Sequence, residues 1–253
     1  MQRIRSLLFS ANLWHLRLLI VACASIVLGA WLTYEPIIWW DVFERYFYSL
    51  TALDLYGIQS FDIPKGKAHA MFWELILGLL TEKIFWFLHD PIWIRNTFNF
   101  AFFQLSLYVI YRLLRCCGVR WSMALLICAG LFGVIRLGGH ALFNTKDLPA
   151  AMVFLCAGIG QWYLLKRWVR CIESGNCWPV SSVKYLLLLS IVSVCPFLFR
   201  VPLLMHLALL EIFLFFISFA ISKHYSVRDG VIVLMVPIIV GVLFIIPFYP
   251  QWW

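Results

Sequence analysis

Two clusters of polar residues interrupt an otherwise apolar chain. The first begins Glu35-Pro36-Ile37-Ile38-Trp39-Trp40-Asp41-Val42-Phe43-Glu44-Arg45 and runs through Asp54-Leu55-Tyr56-Gly57 to Asp62. The second reads Arg136-Leu137-Gly138-Gly139-His140-Ala141-Leu142-Phe143-Asn144-Thr145-Lys146-Asp147-Leu148-Pro149. Carboxylates, an imidazole, an amide and cations are the groups that line a wet polar cavity. Ionisable residues bordering an apolar phase are costly unless paired or hydrated, and they commonly mark function. A purely structural role is available for Asp147, as the cap of a helix opening at Leu148-Pro149. Capping leaves His140, Asn144 and Lys146 unexplained, so the cluster reads as functional.

The elements that must position these groups follow from composition. The chain has 253 residues, 64% hydrophobic and 13% charged, with a mean hydropathy of +0.91. Soluble domains carry about 25% charged residues, so the expectation is an all-α, polytopic membrane helix bundle forming a single transmembrane domain over 1–253. The net charge of +8 is scattered between apolar blocks, which argues for topology signals and against a nucleic-acid partner. No phosphate-binding glycine loop, dinucleotide fingerprint or HExxH motif occurs, and no cofactor is expected. Apolar blocks at about 14–34, 93–114, 120–139, 148–168, 182–199, 202–222 and 230–249 give about seven spans.

Residues 68–88 are ambiguous. Glu74, Gly78, Thr81 and Glu82 share one helical face, which suits a helix lying in the membrane interface. With that segment not spanning and the N-terminus cytoplasmic, the inner side holds Arg3, Arg5, Arg17, Arg112, Arg115, Arg120, Lys166, Arg167, Arg170, Lys184, Lys223 and Arg228. These are 12 of the 20 basic residues, as the positive-inside tendency requires. Both polar clusters then face the outside, and all eight cysteines fall in spans or on the inner side. A zinc site from Cys116, Cys117, Cys171 and Cys177 matches no standard spacing, so no metal is expected. Trp39, Trp40, Trp73, Trp86, Trp93, Trp252 and Trp253 read mostly as interfacial anchors. Glu211 falls about 13 Å into the sixth span at 1.5 Å per residue.

Gly139-His140-Ala141-Leu142-Phe143-Asn144-Thr145-Lys146-Asp147-Leu148-Pro149 resembles the GH-x-x-x-N-x-K-D-x-P signature of GT-C superfamily membrane glycosyltransferases, relatives of protein mannosyltransferases and aminoarabinose transferases. Arg136 stands where that group has a Pro-Arg pair, with Ile135 before it here. Asp54-Leu55-Tyr56-Gly57 resembles a D…YG element of the group's first outer loop. Arg95 resembles the Arg of an Arg-His pair, with Asn96 in place of His.

The resemblance implies transfer of a sugar from a polyprenyl-phosphate carrier to an acceptor on the extracytoplasmic face, with inversion. It implies a bacterial inner membrane location, a lipid-linked sugar donor as partner and contact with membrane lipids. Asp41 is the positional match for the general base. Val42 follows it where the group has an adjacent second acid, so Glu44 shares the assignment. Lys146, Arg136 and Arg200 would face the departing phosphate. Asp147 would position the acceptor, His140 and Asn144 would bind sugar hydroxyls, and Asp54 would bind substrate. Family members are longer, so the chain reads as a C-terminally truncated member. The alternatives are a transporter or flippase using Glu211 and Arg200, and a catalytically inactive membrane subunit.

Overall fold

A computed structural model of the chain describes residues 20–21, 23–31, 40–60, 71–88, 90–133, 147–173, 180–199, 212–213, 216 and 227–245. The described residues form eight helices and no strand. They are α1 (20–21 and 23–31), α2 (Trp40–Leu55), α3 (Met71–Leu79), α4 (Pro91–Cys116), α5 (Trp121–Gly133), α6 (Asp147–Glu173), α7 (Val180–Phe199) and α8 (Val227–Ile245). Among the described residues one helical segment, Asp147–Cys171, is long and apolar enough to cross a membrane, and Trp121–Gly133 and Lys184–Pro196 are shorter apolar helices. The block at 202–222 lies outside the described residues apart from 212, 213 and 216.

Helix α4 is the axis of the bundle, and its polar residues explain why. Arg95, Asn96, Asn99 and Ser106 are all buried, whereas Leu105, Tyr108 and Val109 face outward. The helix therefore buries its polar residues beside the apolar Ile94, Phe100, Phe103, Leu107 and Ile110, while other apolar side chains face outward. Asp90 starts it: the carboxylate accepts the Trp93 backbone N–H at 2.9 Å, and Pro91 occupies the first turn, where a missing N–H is harmless. Gly118 ends it at φ +92°. The Gly118 and Val119 amides donate back to the Arg115 and Leu114 carbonyls, the paired bonds of a Schellman cap.

The remaining helices alternate around α4. The Cys128 thiol donates to the Leu107 carbonyl, and Phe132 stacks with Phe103 at 6.1 Å, so α5 runs antiparallel to α4. The Cys156 thiol donates to the Ser106 carbonyl across a separation of 50 residues, and Lys166 shares a pocket with Cys117. Helix α6 therefore runs parallel to α4, over a core of Phe100, Phe103, Leu107, Ile110, Leu148 and Met152. Helix α7 returns antiparallel to α6, with the Gln161 amide donating to Ser193 Oγ at 2.9 Å and Leu164, Leu165, Trp168, Leu186 and Leu189 forming a second core. Helix α8 packs on α7. We call the end where α4 begins the upper end, and the end where it finishes the lower end.

Helices α1 to α3 gather at the upper end. The Trp93 indole donates to the Ala30 carbonyl at 2.8 Å, and Gly29 is buried against the Phe100 ring, where a Cβ has no room. Helix α2 crosses α3 at Gly78, whose added Cβ would lie 3.0 Å from the Ser49 carbonyl oxygen and from Leu53 Cγ. Trp73 of α3 is 2% exposed and packs on Phe98 and Phe102, at 5.7 and 4.8 Å between ring centroids. Phe102 lies 11 residues into α4, so α3 reaches about 17 Å down the bundle at 1.5 Å per residue.

The sequence places 68–88 flat in the interface, with Trp73 as an anchor and the Glu74-to-Glu82 stripe toward polar surroundings. In the structure that stripe faces protein: Glu74 and Thr81 are buried, with Glu82 half-buried. Periodicity fixes which residues share a face, and Arg95, Ser49 and Tyr46 on neighbouring helices decide where that face turns.

Candidate functional site

The upper end is built around a buried ion pair. Arg95 Nη2 lies 3.0 Å from Glu74 Oε2, with the two side chains 1% and 2% exposed. Ser49, fully buried on α2, donates to the same carboxylate oxygen at 2.7 Å and accepts from Arg95 Nη1. Each charge is met by its opposite and by a hydroxyl, which is what makes burial of such a pair tolerable. The triad locks α2, α3 and α4 together.

Above it, the helix following α3 widens into a π turn over Leu80–Ile84, closed by the Phe85 amide donating to the Leu80 carbonyl at 2.9 Å. Single π turns occur frequently at functional sites because the extra residue redirects the side chains around it. Here the turn holds Glu82, whose Oε1 accepts from the Tyr46 hydroxyl at 2.6 Å. Burial, then the hydrogen bond to Glu82, push the Tyr46 phenol well above its usual value. Tyr46 therefore remains a protonated donor at neutral pH.

These groups line a cleft of about 190 Å³ bounded by Tyr46, Thr81, Glu82, Phe85, Trp86, Asp90, Pro91 and Ile94. It presents two carboxylates, a phenol and two further aromatic rings. Carboxylates accept from hydroxyls, and aromatic faces take the apolar side of a ring, so the lining suits a neutral polyhydroxylated ligand. Just below, both amide atoms of Asn96 are buried without a hydrogen-bond partner, and the side chain is 1% exposed. An unsatisfied buried amide costs about 1–3 kcal/mol. Asn96 stands where the resemblance has a histidine.

Asp147 is the first residue of α6 and half-buried, where a carboxylate meets the positive end of the helix dipole. The 50-residue offset linking Ser106 to Cys156 puts Asp147 level with residue 97, at the same end of the bundle as the cleft. Asp41 and Glu44 fall in the first turns of α2, the helix that carries Tyr46 and Ser49, and their side chains are not among the described ones. Arg136, His140, Asn144, Lys146 and Arg200 lie outside the described residues.

Asp54 is not part of the cleft. It belongs to the last turn of α2, where its carbonyl accepts the Gly57 amide while the Leu53 carbonyl accepts the Ile58 amide. With Gly57 at φ +65°, the Asp54-to-Gly57 element forms another Schellman cap. Its glycine is needed for the left-handed turn.

Glu82, Asp90, Tyr46 and Trp86 escape a reading of sequence motifs because three separate elements supply them. The available signals were the Glu74-to-Glu82 stripe and the Asp90-Pro91 start. Among the described residues no group of three His, Cys, Asp or Glu side chains could hold a metal ion. The chain matches no protein-family model, no curated protein and no solved structure.

Proposed function

We propose that the chain is an integral membrane protein of about seven spans, in a bacterial inner membrane, that transfers a sugar from a polyprenyl-phosphate carrier to an acceptor on the outer face. Helices α4 to α7 alternate in direction, as consecutive spans must. Large apolar side chains face outward along them, including Leu105 on α4, Leu126 on α5, Leu187 on α7 and Leu243 on α8. So much exposed apolar surface calls for a lipid surround.

The observation that carries the reading is that Asp147, from the signature-like segment, lies at the same end of the bundle as the carboxylate-and-aromatic cleft. Glu82 and Asp90 then hold sugar hydroxyls beside Trp86. Asp41 or Glu44 takes the acceptor's proton as its oxygen bonds to the anomeric carbon. The bond from that carbon to phosphate oxygen breaks, and the lipid phosphate leaves with the electron pair, facing Lys146, Arg136 and Arg200.

The test is sugar transfer from a polyprenyl-phosphate sugar in membranes carrying the full chain. Removing the base should lower turnover by about 10²–10⁴, so one of Asp41→Asn and Glu44→Gln is expected to show that loss. Glu82→Gln is expected to raise KM more than it lowers kcat. Transfer unchanged in all three, and in Asp147→Asn, contradicts the reading.

A further inference from the structure

The lower end carries a second pocket that the sugar-transfer reading does not use. It encloses about 100 Å³ between the ends of α4 and α6, lined by Cys116, Cys117, Gly118, Tyr163, Lys166, Arg167 and Arg170. Three of the seven lining residues are cations, and none of the seven is an acid.

Cations near helix C-termini often serve only to satisfy the last carbonyls. At α4 that need is already met: the Arg115 and Leu114 carbonyls accept from Gly118 and Val119, and Arg115 Nη1 donates to the Val119 carbonyl at 2.8 Å. The pocket cations are instead held by aromatic rings. Lys166 Nζ lies 5.8 Å from the Trp162 ring centroid, and the Arg167 guanidinium lies 5.4 Å from that of Tyr163, with Nε donating to its hydroxyl at 3.2 Å. Rings pre-position cations without neutralising them. At Cys117, burial pushes the thiol up more than Lys166 draws it down.

We infer that this pocket binds the phosphate headgroup of an anionic membrane lipid. A phosphate offers several acceptor oxygens to two guanidinium forks and an ammonium. Basic pockets between helices at the cytoplasmic face are where such headgroups dock. Trp162 and Tyr163 sit where aromatic side chains favour the boundary between hydrocarbon and headgroups. The inference rests on the membrane reading but not on sugar transfer.

The full chain, purified in detergent, is titrated with phosphatidylglycerol, phosphatidylcholine and inorganic phosphate, and bound lipid is read by native mass spectrometry. Phosphatidylglycerol is expected to bind at least tenfold tighter than phosphatidylcholine. The triple variant Lys166→Gln, Arg167→Gln, Arg170→Gln should weaken it about a hundredfold. Lys184→Gln, on α7 and outside the pocket, should leave it unchanged. Should the triple variant not fold, the exposed Arg170→Gln alone is expected to weaken binding severalfold. Equal affinity for the two lipids, equal binding by wild type and variants, or displacement by phosphate at matching concentration overturns the assignment. Flotation of cell membranes tests membrane insertion separately, so failure of that premise is distinguishable from failure of the pocket.

Discussion

The two ends of the bundle handle charge in opposite ways. At the upper end Arg95 and Glu74 are buried together with Ser49 between them, and Tyr46 holds Glu82 at the rim. At the lower end Lys166 and Arg167 rest against aromatic rings in an open pocket with no acid in its lining. Charges neutralised inside the protein build architecture, whereas charges left for an outside partner build a binding surface. The upper end does both, because its buried triad supports a cleft whose own carboxylates stay accessible.

The comparison breaks most visibly at Arg95. Arg95→Ala leaves Glu74 buried without its cation, and thermal or denaturant unfolding should show a loss of about 3–5 kcal/mol. Replacing both partners, Arg95→Met with Glu74→Leu, should recover most of that loss, since a well-packed apolar pair avoids the desolvation of two charges. A double variant no more stable than the single one would remove the ion pair from its architectural role.

Glycine substitutions sharpen the contrast in packing. A Cβ at Gly78 meets a backbone carbonyl at 3.0 Å, while one at Gly160 meets only the Val192 Cγ1 methyl at 3.3 Å. Gly78→Ala should therefore cost about 1–3 kcal/mol, as overpacking does. Gly160→Ala should cost less, measured in the same melts. At the lower end, Lys166→Gln removes one half-buried cation–ring contact and should cost about 1 kcal/mol.

Much of this was legible in the sequence, and the failures are instructive. The helical class and the helix start at Asp147 follow from local chemistry, whereas the start of α4 at Asp90-Pro91 lies in what the sequence reads as the end of a loop. The Glu74-to-Glu82 stripe was visible as a face, but its partners Arg95, Ser49 and Tyr46 lie 21, 25 and 36 residues away from the acids they meet. No local rule connects such separations. Trp73 fails as an interfacial anchor for the same reason, because Phe98 and Phe102 offer it a buried partner. The Asp54-to-Gly57 element, read from the sequence as a motif, makes a helix cap in the fold.

A smaller effect separates Tyr46 from exposed tyrosines. Its folded pKa is raised above the unfolded value near 10. Its contribution to stability is thus fully present below pH 10 and lost as pH climbs toward the folded value. Burial also raises the Tyr56 phenol, so ultraviolet titration should show late-ionising tyrosines among the chain's 10, and Tyr46→Phe should remove the latest of those steps.

The central claim is that α4 and α6 run parallel and bring Asp147 to the cleft end. Spin labels at 90 and 147, on a background with the native cysteines replaced, measure it by pulsed electron resonance. Position 170 lies 23 residues farther along α6, about 35 Å at 1.5 Å per residue. A 90–147 distance clearly shorter than the 90–170 distance is expected. The reverse order would put Asp147 at the far end from the cleft and contradict the account.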